Sequence, residues 1–298
     1  MNADGRFAPS PTGDLHLGSL RTALIAWLMA RSAQARFLLR IDDLDPQRSR
    51  EKFVARQLAD LRSLGIDWDG EPVRQSQRTE LYAQAVQRLL AQGRLYPCFC
   101  TRAEVQAAAS APHGDMPDGA YPGTCARLSA AQASARVTAG ERHALRLRAE
   151  AVRIEFDDLL AGRQGGIVDD FVVVRSDGVH AYQLAVVVDD AEQGIGQVVR
   201  GVDLAPSTPR QILLQQLLGL PTPSYAHVPL VLSHGGQRLA KRDGAVTLKD
   251  RHEPPSMTLA WLAHSIGLAG EAHRVASARE LLAEFQPSRI PTRSVSLP

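Results

Sequence analysis

The chain has 298 residues, of which 44% are hydrophobic and 22% are charged, and its formal net charge is +2 at pH 7. This length exceeds that of one typical domain, so we expect two domains or one domain that carries a large insertion. The composition is that of an ordinary globular protein, and the small net charge excludes the strong overall field of a highly basic nucleic-acid binder.

Alternating strands and helices are predicted in the first third of the chain. A short strand enters a loop rich in proline and glycine, after which apolar residues recur at helical spacing. A near-continuous apolar run suits a buried parallel strand, and the proline of DDLDP allows the next helix to begin. In chain order these segments are a strand at 5–9, a helix from Gly18 to about Gln34, a strand at 35–41, a helix that starts near Gln47 and a helix over roughly 77–91. This order predicts a doubly wound α/β domain.

The character of the sequence changes between about 93 and 170. Thr101 and Glu104 have the spacing of a capping box that opens a short helix, and Ser129 with Gln132 caps another. The segment between them, SAPHGDMPDGAYPGTC, has no clear periodicity. We therefore expect an insertion with a small core of its own.

Strand character returns after the insertion and gives way to helices towards the C-terminus. The segment FVVVRSDGVHAYQLAVVVDD predicts strands on both sides of a Ser-Asp-Gly turn. A basic loop flanked by glycine, HGGQRLAKRDG, separates the last predicted strand from the final helices. These later elements are a helix at 207–220, a strand at 225–232 and capped helices that include one begun by Ser277 and Glu280.

Targeting signals are not evident in the sequence. The N-terminal sequence MNADGRFAPS lacks a basic segment followed by an apolar run, so we expect no signal peptide. No apolar stretch approaches the ~20 residues of a membrane helix. The three cysteines are odd in number and two lie close together, which argues against a disulfide framework. We expect a cytoplasmic protein with no membrane partner.

The stretch PSPTGDLHLGSLRTAL has the features of a phosphate-binding loop. A loop that contains glycine and leads into a helix N-terminus offers free N–H groups and the helix dipole to an anion. Pro9 and Pro11 fix the approach of the chain, while Gly13 and Gly18 let the backbone come close to a nucleotide. His16 lies just before the helix, where its ring could donate to a phosphate oxygen. A tight strand-to-helix connection with a surface histidine would explain the same residues.

Four segments carry a more specific signal. RFAPSPTGDLHLGSLRTAL resembles the N-terminal signature of class I glutamyl-tRNA synthetases, with HLGS in the place of the family's HIGH motif. LLRIDDLDPQR resembles the segment that follows, and AYQLAVVVDDAEQGIGQVVRGVDL resembles the second half of the active-site domain. RLAKR stands in the place of the KMSKS loop, although both serines are replaced. The four segments keep the family's order from residue 6 to residue 242.

The resemblance implies a Rossmann-type parallel sheet with an inserted zinc-binding subdomain and a C-terminal helical segment. The expected division is a first half of the catalytic domain at 1–92, the insertion at 93–170, a second half at 171–225, and the KMSKS-like loop with a helical stem-contact region at 226–298. Only about 55 residues follow RLAKR, too few for an anticodon-binding domain.

The short members of this family suggest a specific reaction. Their resemblance implies ATP-dependent activation of L-glutamate and transfer of glutamate to the queuosine base of tRNA(Asp). The expected partners are ATP, L-glutamate and the anticodon stem-loop of tRNA(Asp) that contains queuosine. Arginines of the insertion and of the C-terminal helices would bind its phosphates.

The family pattern also implies the residues that surround glutamate. Arginine forks suit a carboxylate, Tyr182 offers a hydroxyl, and Asp42 can pair with the α-amine directly or through a water. The family usually has Glu in place of Asp42, whereas glutaminyl-tRNA synthetases have Asp. The loop APSPTG is of the glutamyl type, because the glutaminyl type has Glu in place of Ser10, and we therefore predict glutamate. The predicted site comprises Arg6, Phe7, Ala8, Pro9, Ser10, Asp42, Tyr182 and Arg200.

ATP is expected at the glycine loop and the KMSKS-like loop. His16 and Lys241 are the predicted catalytic residues, because His16 would contact the phosphates and Lys241 would neutralise the leaving pyrophosphate. Gly13 and Gly18 complete the predicted ATP site. Mg²⁺ is expected with ATP, held mainly by phosphates and waters.

One structural zinc ion is predicted in the insertion. CFC followed by YPGTC resembles the family's zinc site, and Cys98, Cys100 and Cys125 supply three of the four ligands that zinc needs. The fourth ligand is either Tyr121, which the family pattern implies, or His113, whose imidazole binds zinc readily. We predict Tyr121. Three buried free cysteines without a metal are the alternative.

Two other functions remain open from the sequence. A truncated glutamyl- or glutaminyl-tRNA synthetase would charge the acceptor end of a tRNA with its amino acid. A catalytically inactive paralogue would bind ATP or tRNA and regulate another process. The presence of His16, Lys241 and the two arginines of the glutamate site favours an active enzyme.

Overall fold

The computed structural model describes residues 3–109, 120–233, 246–268 and 275–297. Within them the strands are β1 (Gly5–Phe7), β2 (Phe37–Ile41), β3 (Val73–Arg74), β4 (Leu95–Cys98), β5 (Ala144–Leu147), β6 (Arg153–Asp158), β7 (Gly162–Ile167), β8 (Phe171–Val174), β9 (Gln197–Gly201), β10 (Ser224–Val228), β11 (Val231–Leu232) and β12 (Val295–Ser296). The helices are α1 (Leu17–Ser32), α2 (Glu51–Ser63), α3 (Thr79–Ala91), α4 (Arg102–Ala109), α5 (Ala130–Thr138), α6 (Tyr182–Glu192), α7 (Thr208–Leu218), α8 (Leu248–Arg251) and α9 (Pro255–Ser265).

A seven-stranded sheet in the order β3-β2-β1-β9-β10-β6-β7 organises the molecule. All neighbouring strands in it are parallel except β6 and β7, which form an antiparallel hairpin at one edge. The interior strand β1 pairs with β2 on one side and with β9, the middle strand of the seven, on the other. The chain therefore builds outwards from β1 in both directions, as in a doubly wound fold.

Helices cover both faces of this sheet and enclose two apolar cores. One core packs α1 against α9 and the C-terminal segment, and its largest fully buried side chain is that of Trp27. The other packs α3, α6 and α7 together and includes Tyr82, Leu184 and Leu214. Both faces are covered, which explains why the strand FLLRI consists mainly of buried apolar residues.

A second, three-stranded antiparallel sheet in the order β4-β5-β8 lies in the middle of the chain. The predicted boundary between the insertion and the second half of the catalytic domain, at residue 170, remains a proposal. Strand β5, before this boundary, pairs with β8, after it. The hairpin β6–β7 precedes that residue and joins the main sheet, whereas β8 follows it and joins the small sheet. The two predicted capping boxes are confirmed at the N-termini of α4 and α5.

Two predictions of secondary structure are wrong. The segment AYQLAVVVDD forms α6 and not a strand, because its apolar residues pack between α3 and α7, and this tertiary packing outweighs the β propensity of valine. The helix after DDLDP begins at Glu51 and not near Gln47, because Asp45 accepts hydrogen bonds from the backbone N–H groups of Arg48 and Ser49 and holds a turn there.

The C-terminal helix begun by Ser277 is also different from the prediction. Residues Ala278–Ala283 form a 3₁₀ helix, and the side chain of Ser277 makes no capping hydrogen bond. Glu280 still accepts a hydrogen bond from the backbone N–H of Ala276, at 3.1 Å. Among the described helices, none has the length and apolar character to cross a membrane.

Candidate functional site

A cavity of about 530 Å³ opens at the carboxyl ends of the central strands of the main sheet. Its walls come from the segments that follow β1, β2, β9 and β10, together with the N-termini of α1 and α6. Ligands of doubly wound folds bind at this edge, where the connections diverge on either side of the central strand. All eight residues predicted for glutamate line the cavity: Arg6, Phe7, Ala8, Pro9, Ser10, Asp42, Tyr182 and Arg200.

His16 stands at the N-terminus of α1, as the glycine loop predicts. It is the N-cap residue, and its Nδ1 accepts a hydrogen bond of 3.1 Å from the backbone N–H of Ser19. A Cβ atom on Gly18 would lie 3.1 Å from the His16 ring, so glycine at this position gives the ring its space. His16 and Gly18 both line the cavity beside the first turn of the helix, where N–H groups and the dipole favour phosphate.

The two other residues predicted for ATP are Gly13 and Lys241. Gly13 is absent from the described cavity wall, and its carbonyl accepts a hydrogen bond of 2.7 Å from the Gln57 amide. Lys241 lies outside the described residues, as does the rest of RLAKR. The chain on both sides of that segment meets the site: Val231 lines the cavity, and the carbonyl of Val246 accepts a hydrogen bond from Leu17 N–H at 3.0 Å.

A buried network of charges forms the floor of the cavity. Asp190 accepts two hydrogen bonds of 3.1 Å from Nε and Nη2 of Arg6 and a third of 2.5 Å from Nη1 of Arg40. Nε of Arg40 donates at 2.8 Å to Asp42, while Nη2 of Arg40 is buried without a partner in the described chain. The loop after β1 is tied to the same place, because the carbonyl of Pro9 accepts from the backbone N–H of Asp42 at 3.0 Å.

Burial and neighbouring charges shift the titration of this network. Burial raises the pKa of Asp42 to about 6, although Arg40 acts in the opposite direction. Burial also acts to raise the pKa of Asp190, but Arg6 and Arg40 outweigh it and lower that pKa. Asp190 is therefore fully ionised near neutral pH, whereas Asp42 ionises close to the physiological pH range.

Arg200 differs from the other two arginines because its hydrogen-bond partners are neutral. It is 5% exposed, and its Nε donates to His227 Nε2 at 3.1 Å. Its Nη1 donates to Gln211 Oε1 and its Nη2 to Thr208 Oγ1, each at 2.7 Å. Burial lowers the pKa of this guanidinium. Because no carboxylate pairs with Arg200 within the described chain, an anionic ligand in the cavity would supply the charge that balances it.

Several residues of the site were not predicted from the sequence. Arg40 could have been recognised, since an arginine within the apolar strand FLLRI has to find a buried charged partner. Asp190 lies within the segment AYQLAVVVDDAEQGIGQVVRGVDL that resembles the family, and no role was predicted for it. The remaining partners, Thr208, Gln211 and His227, carry no local signal, because they meet Arg200 only through the pairing of β9 with β10 and the packing of α7.

Three cysteines and a tyrosine converge beside the small sheet. The Sγ atoms of Cys98, Cys100 and Cys125 lie within 4.8 Å of one another. The Oη atom of Tyr121 lies 3.4 Å from Sγ of Cys98 and 3.6 Å from Sγ of Cys100, and the two sulfurs of Cys100 and Cys125 are 3.5 Å apart. His113 lies outside the described residues.

These spacings agree with the geometry of a tetrahedral metal site. For zinc–sulfur bonds of ~2.3 Å, the sulfurs at two corners of a tetrahedron are ~3.8 Å apart, and a sulfur and an oxygen are slightly closer. Burial raises the pKa of the Tyr121 phenol, so its ionisation as a ligand would require the charge of a metal ion. Arg146 stacks on the same ring, with its guanidinium carbon 3.8 Å from the ring centroid, and adds positive charge near the thiols.

Comparison with known proteins identifies the family. The catalytic domain of class I tRNA synthetases (E and Q) matches residues 3–294. The structure of a glutamate tRNA ligase from Elizabethkingia meningosepticum, in complex with its amino acid, superposes with a TM-score of 0.85 at 25% identity over 100% of this chain and 67% of that one.

Two relatives match at higher identity, and both are named glutamyl-Q tRNA(Asp) synthetase. The protein of Nocardia farcinica is 59% identical over 290 residues, which are 96% of this chain and 90% of that protein. The protein of Symbiobacterium thermophilum is 50% identical over 309 residues, covering 99% and 95% of the two chains. The chain belongs to the glutamyl-Q tRNA(Asp) synthetases. Membership of this family confirms the class I synthetase fold and the ligase-type enzyme class that the sequence predicts.

The glutamyl-Q tRNA(Asp) synthetase family also gives the cavity its context. The cavity lies within residues 3–294, which match the catalytic domain of class I tRNA synthetases (E and Q), and its walls come from chain segments before residue 60 and after residue 181. The partners that the family implies at the coarse level are ATP, an amino acid and a tRNA.

Proposed function

We propose that this chain activates L-glutamate with ATP and transfers the glutamyl group to the queuosine base in the anticodon of tRNA(Asp). The observation that carries the proposal is the buried, unbalanced charge of Arg200 at the wall of the cavity. A glutamate side-chain carboxylate would balance it, whereas the amide of glutamine would leave it unpaired. Such a mismatch costs about 1–3 kcal/mol or more.

Other residues of the cavity wall suit the amino-acid end of the substrate. The ionised carboxylate of Asp42 offers an acceptor for the α-ammonium group, and Tyr182 at the start of α6 offers a hydroxyl. Arg6 is held against Asp190, so its role is to shape and charge the floor rather than to provide a complete fork for the substrate. Glutamate would then lie with its α-carboxylate directed towards the N-terminus of α1.

The activation step follows from this placement. An oxygen of the glutamate α-carboxylate attacks the α-phosphorus of ATP, the bond from that phosphorus to the bridging oxygen of the β-phosphate breaks, and pyrophosphate leaves. Positioning and charge neutralisation are the main requirements of such a reaction. His16 and the N–H groups of α1 would bind the phosphates, and Lys241 would neutralise the leaving group. An acceptor group of queuosine then attacks the carbonyl carbon of the glutamyl-adenylate and loses its proton, the bond from that carbon to the phosphate oxygen breaks, and AMP leaves.

The metal ions have separate roles in the proposal. Cys98, Cys100, Cys125 and Tyr121 would hold one zinc ion, which would stabilise the small sheet and its surroundings. Mg²⁺ would accompany ATP and offset the charge of its phosphates. The choice of queuosine in tRNA(Asp) is supported by the names of the relatives.

Two experiments test this function. Amino-acid-dependent ATP–pyrophosphate exchange should proceed with glutamate and much less with glutamine or aspartate. Labelled glutamate should then be transferred to tRNA(Asp) that contains queuosine, even when its 3′-terminal adenosine has been removed. The matched control is the same trimmed tRNA with guanine in place of queuosine, which should accept nothing. Transfer that requires the terminal adenosine would establish acceptor charging instead.

A further inference from the structure

Behind the cavity wall, Asp158, His227 and Arg200 form a buried hydrogen-bonded chain. The Asp158 and His227 side chains are fully buried, so neither belongs to the surface that a substrate meets. We infer that Asp158 and His227 are positioning residues that fix the orientation of Arg200 and with it the selection of glutamate. The inference rests on the proposed function for the role of Arg200, while the state of His227 can be measured independently.

The first step is the contact between the carboxylate and the imidazole. Asp158 Oδ2 lies 2.6 Å from His227 Nδ1, and the carboxylate also accepts from the backbone N–H groups of Leu160, Ala161 and His227. Burial acts to raise the pKa of Asp158, but these hydrogen bonds outweigh it and lower that pKa. The Asp158 carboxylate therefore accepts all of these hydrogen bonds. The proton between the two side chains is accordingly on His227 Nδ1, which donates to Asp158.

The other ring nitrogen of His227, Nε2, faces Arg200 and Thr208. His227 Nε2 accepts a hydrogen bond of 3.1 Å from Nε of Arg200 and lies 3.2 Å from the Thr208 hydroxyl. A guanidinium N–H is a donor only, so Nε2 has to present a lone pair. The two ends of the ring thus demand the same tautomer, neutral with the proton on Nδ1. A proton on Nε2 would face the N–H of Arg200 and push the guanidinium away.

The third step links this tautomer to the substrate. Arg200 has five N–H groups, and within the described chain one on each of its three nitrogens is bound by His227, Gln211 or Thr208. The second N–H groups of both terminal nitrogens remain for a carboxylate in the cavity. Their direction follows from the rotation of the guanidinium plane, which the bond from Nε to His227 sets.

Exchange of Asp158 for asparagine tests the tautomer directly. The backbone donors around the side chain keep the asparagine carbonyl on the Oδ1 side, so its NH₂ group faces His227 Nδ1 and donates to it. We expect Asp158→Asn to move the proton from Nδ1 to Nε2, as the analogous change does in a catalytic triad. NMR of protein labelled with ¹⁵N-histidine distinguishes the two tautomers, and the His227 signals are assigned by their loss in His227→Gln.

A neutral Nδ1–H tautomer in the wild type and an Nε2–H tautomer in Asp158→Asn would support the inference. An imidazolium or an Nε2–H tautomer in the wild type at neutral pH would overturn it, whatever the enzyme's substrate proves to be. This measurement needs no activity, so its failure is distinct from a failure of the proposed function.

Kinetics of glutamate activation give the second readout. Asp158→Asn and His227→Phe should raise the glutamate KM on the order of tenfold or more, with kcat changed much less, because one hydrogen bond that orients a binding group is lost. His227→Gln can still accept from Arg200 Nε and should recover most of the affinity. In an Arg200→Lys background, His227→Phe should add little, since both changes act on one interaction.

A matched control separates positioning from general destabilisation. Ser265 is buried, accepts a hydrogen bond of 3.2 Å from Arg21 Nε and is not among the residues that line the cavity. Ser265→Ala should leave the glutamate KM unchanged. Equal effects of Ser265→Ala, His227→Phe and His227→Gln on KM would overturn the positioning role, as would a loss confined to kcat.

Discussion

Asp190 binds the guanidinium of Arg6 through two hydrogen bonds of 3.1 Å, so the charge of Arg6 is balanced inside the protein. Arg200 has only neutral hydrogen-bond partners in the described chain. The sequence predicts the same carboxylate-binding role for both arginines, but their surroundings differ. Arg6 belongs to the framework of the site, and Arg200 carries the charge that a ligand would balance.

The first prediction separates these two roles. Arg6→Met should lower the free energy of unfolding by about 3–5 kcal/mol, because it removes one partner of a buried pair. Arg200→Met should cost much less stability, since it removes a buried charge without a carboxylate partner, yet it should raise the glutamate KM more strongly. Denaturant unfolding and pyrophosphate exchange measure the two effects. Equal losses of stability in both variants would contradict the distinction.

The second prediction concerns pH. Burial raises the pKa of Asp42 to about 6, so this carboxyl becomes neutral as pH falls through 6 and no longer attracts the α-ammonium group. We expect kcat/KM for glutamate, which reports the free enzyme, to fall as pH decreases through that value. Asp42→Asn should lower kcat/KM at pH 8 and remove this acidic limb. If kcat/KM of Asp42→Asn still falls at the same pH, the decrease must come from the titration of another group.

The third prediction separates the N-cap role of His16 from its proposed contact with the ATP phosphates. His16→Ala should lose the cap and cost about 1 kcal/mol of stability, whereas His16→Asn should keep the cap. Both variants should slow glutamate activation, because neither retains the ring beside the phosphates. Activation at the wild-type rate in His16→Asn would limit His16 to its structural role.

The fourth prediction concerns Lys241. Lys241→Ala should lower the activation rate by on the order of 100-fold, with a smaller effect on glutamate affinity, because its charge would act on the leaving pyrophosphate. Lys249→Ala is a matched control, since this lysine lies on the exposed part of α8 beyond the loop. Unchanged pyrophosphate exchange in Lys241→Ala would show that the RLAKR segment has no part in the activation step.

The fifth prediction is one equivalent of zinc per chain. Cys98→Ser should lose the ion together with the order of the small sheet, measurable by metal analysis and hydrogen exchange. Tyr121→Phe should weaken zinc binding and His113→Ala should not, because the Tyr121 hydroxyl lies within 3.6 Å of two thiols. The reverse pattern would make His113 the fourth ligand.

Local signals in the sequence were sufficient for the elements that depend on near neighbours. The capping boxes of α4 and α5, the position of His16 just before α1 and the buried strand FLLRI follow from residues within a few positions of one another. The resemblance to class I synthetases supplied the fold and the eight residues predicted around glutamate, all of which line the cavity. It also supplied Gly13, which does not line the described cavity wall.

The errors lie where distant contacts decide the structure. Helix α6 has a valine-rich sequence that favours a strand, and only its packing between α3 and α7 makes it helical. The hairpin β6–β7 belongs to the main sheet through the pairing of Tyr225 with Asp158, which no local pattern encodes. The neutral surroundings of Arg200 have the same origin, because Thr208 and His227 come from different elements.

The position of β1 between β2 and β9 has a consequence for synthesis of the chain. Its partner β2 follows directly, but the other partner begins with the pairing of Gly5 to Gln197, late in the sequence. Until β9 leaves the ribosome, one edge of the buried strand β1 has unpaired N–H and C=O groups, which can pair with strands of other chains. Nascent chains that end before β9 should therefore depend on chaperones, and fragments of that length should aggregate when expressed alone.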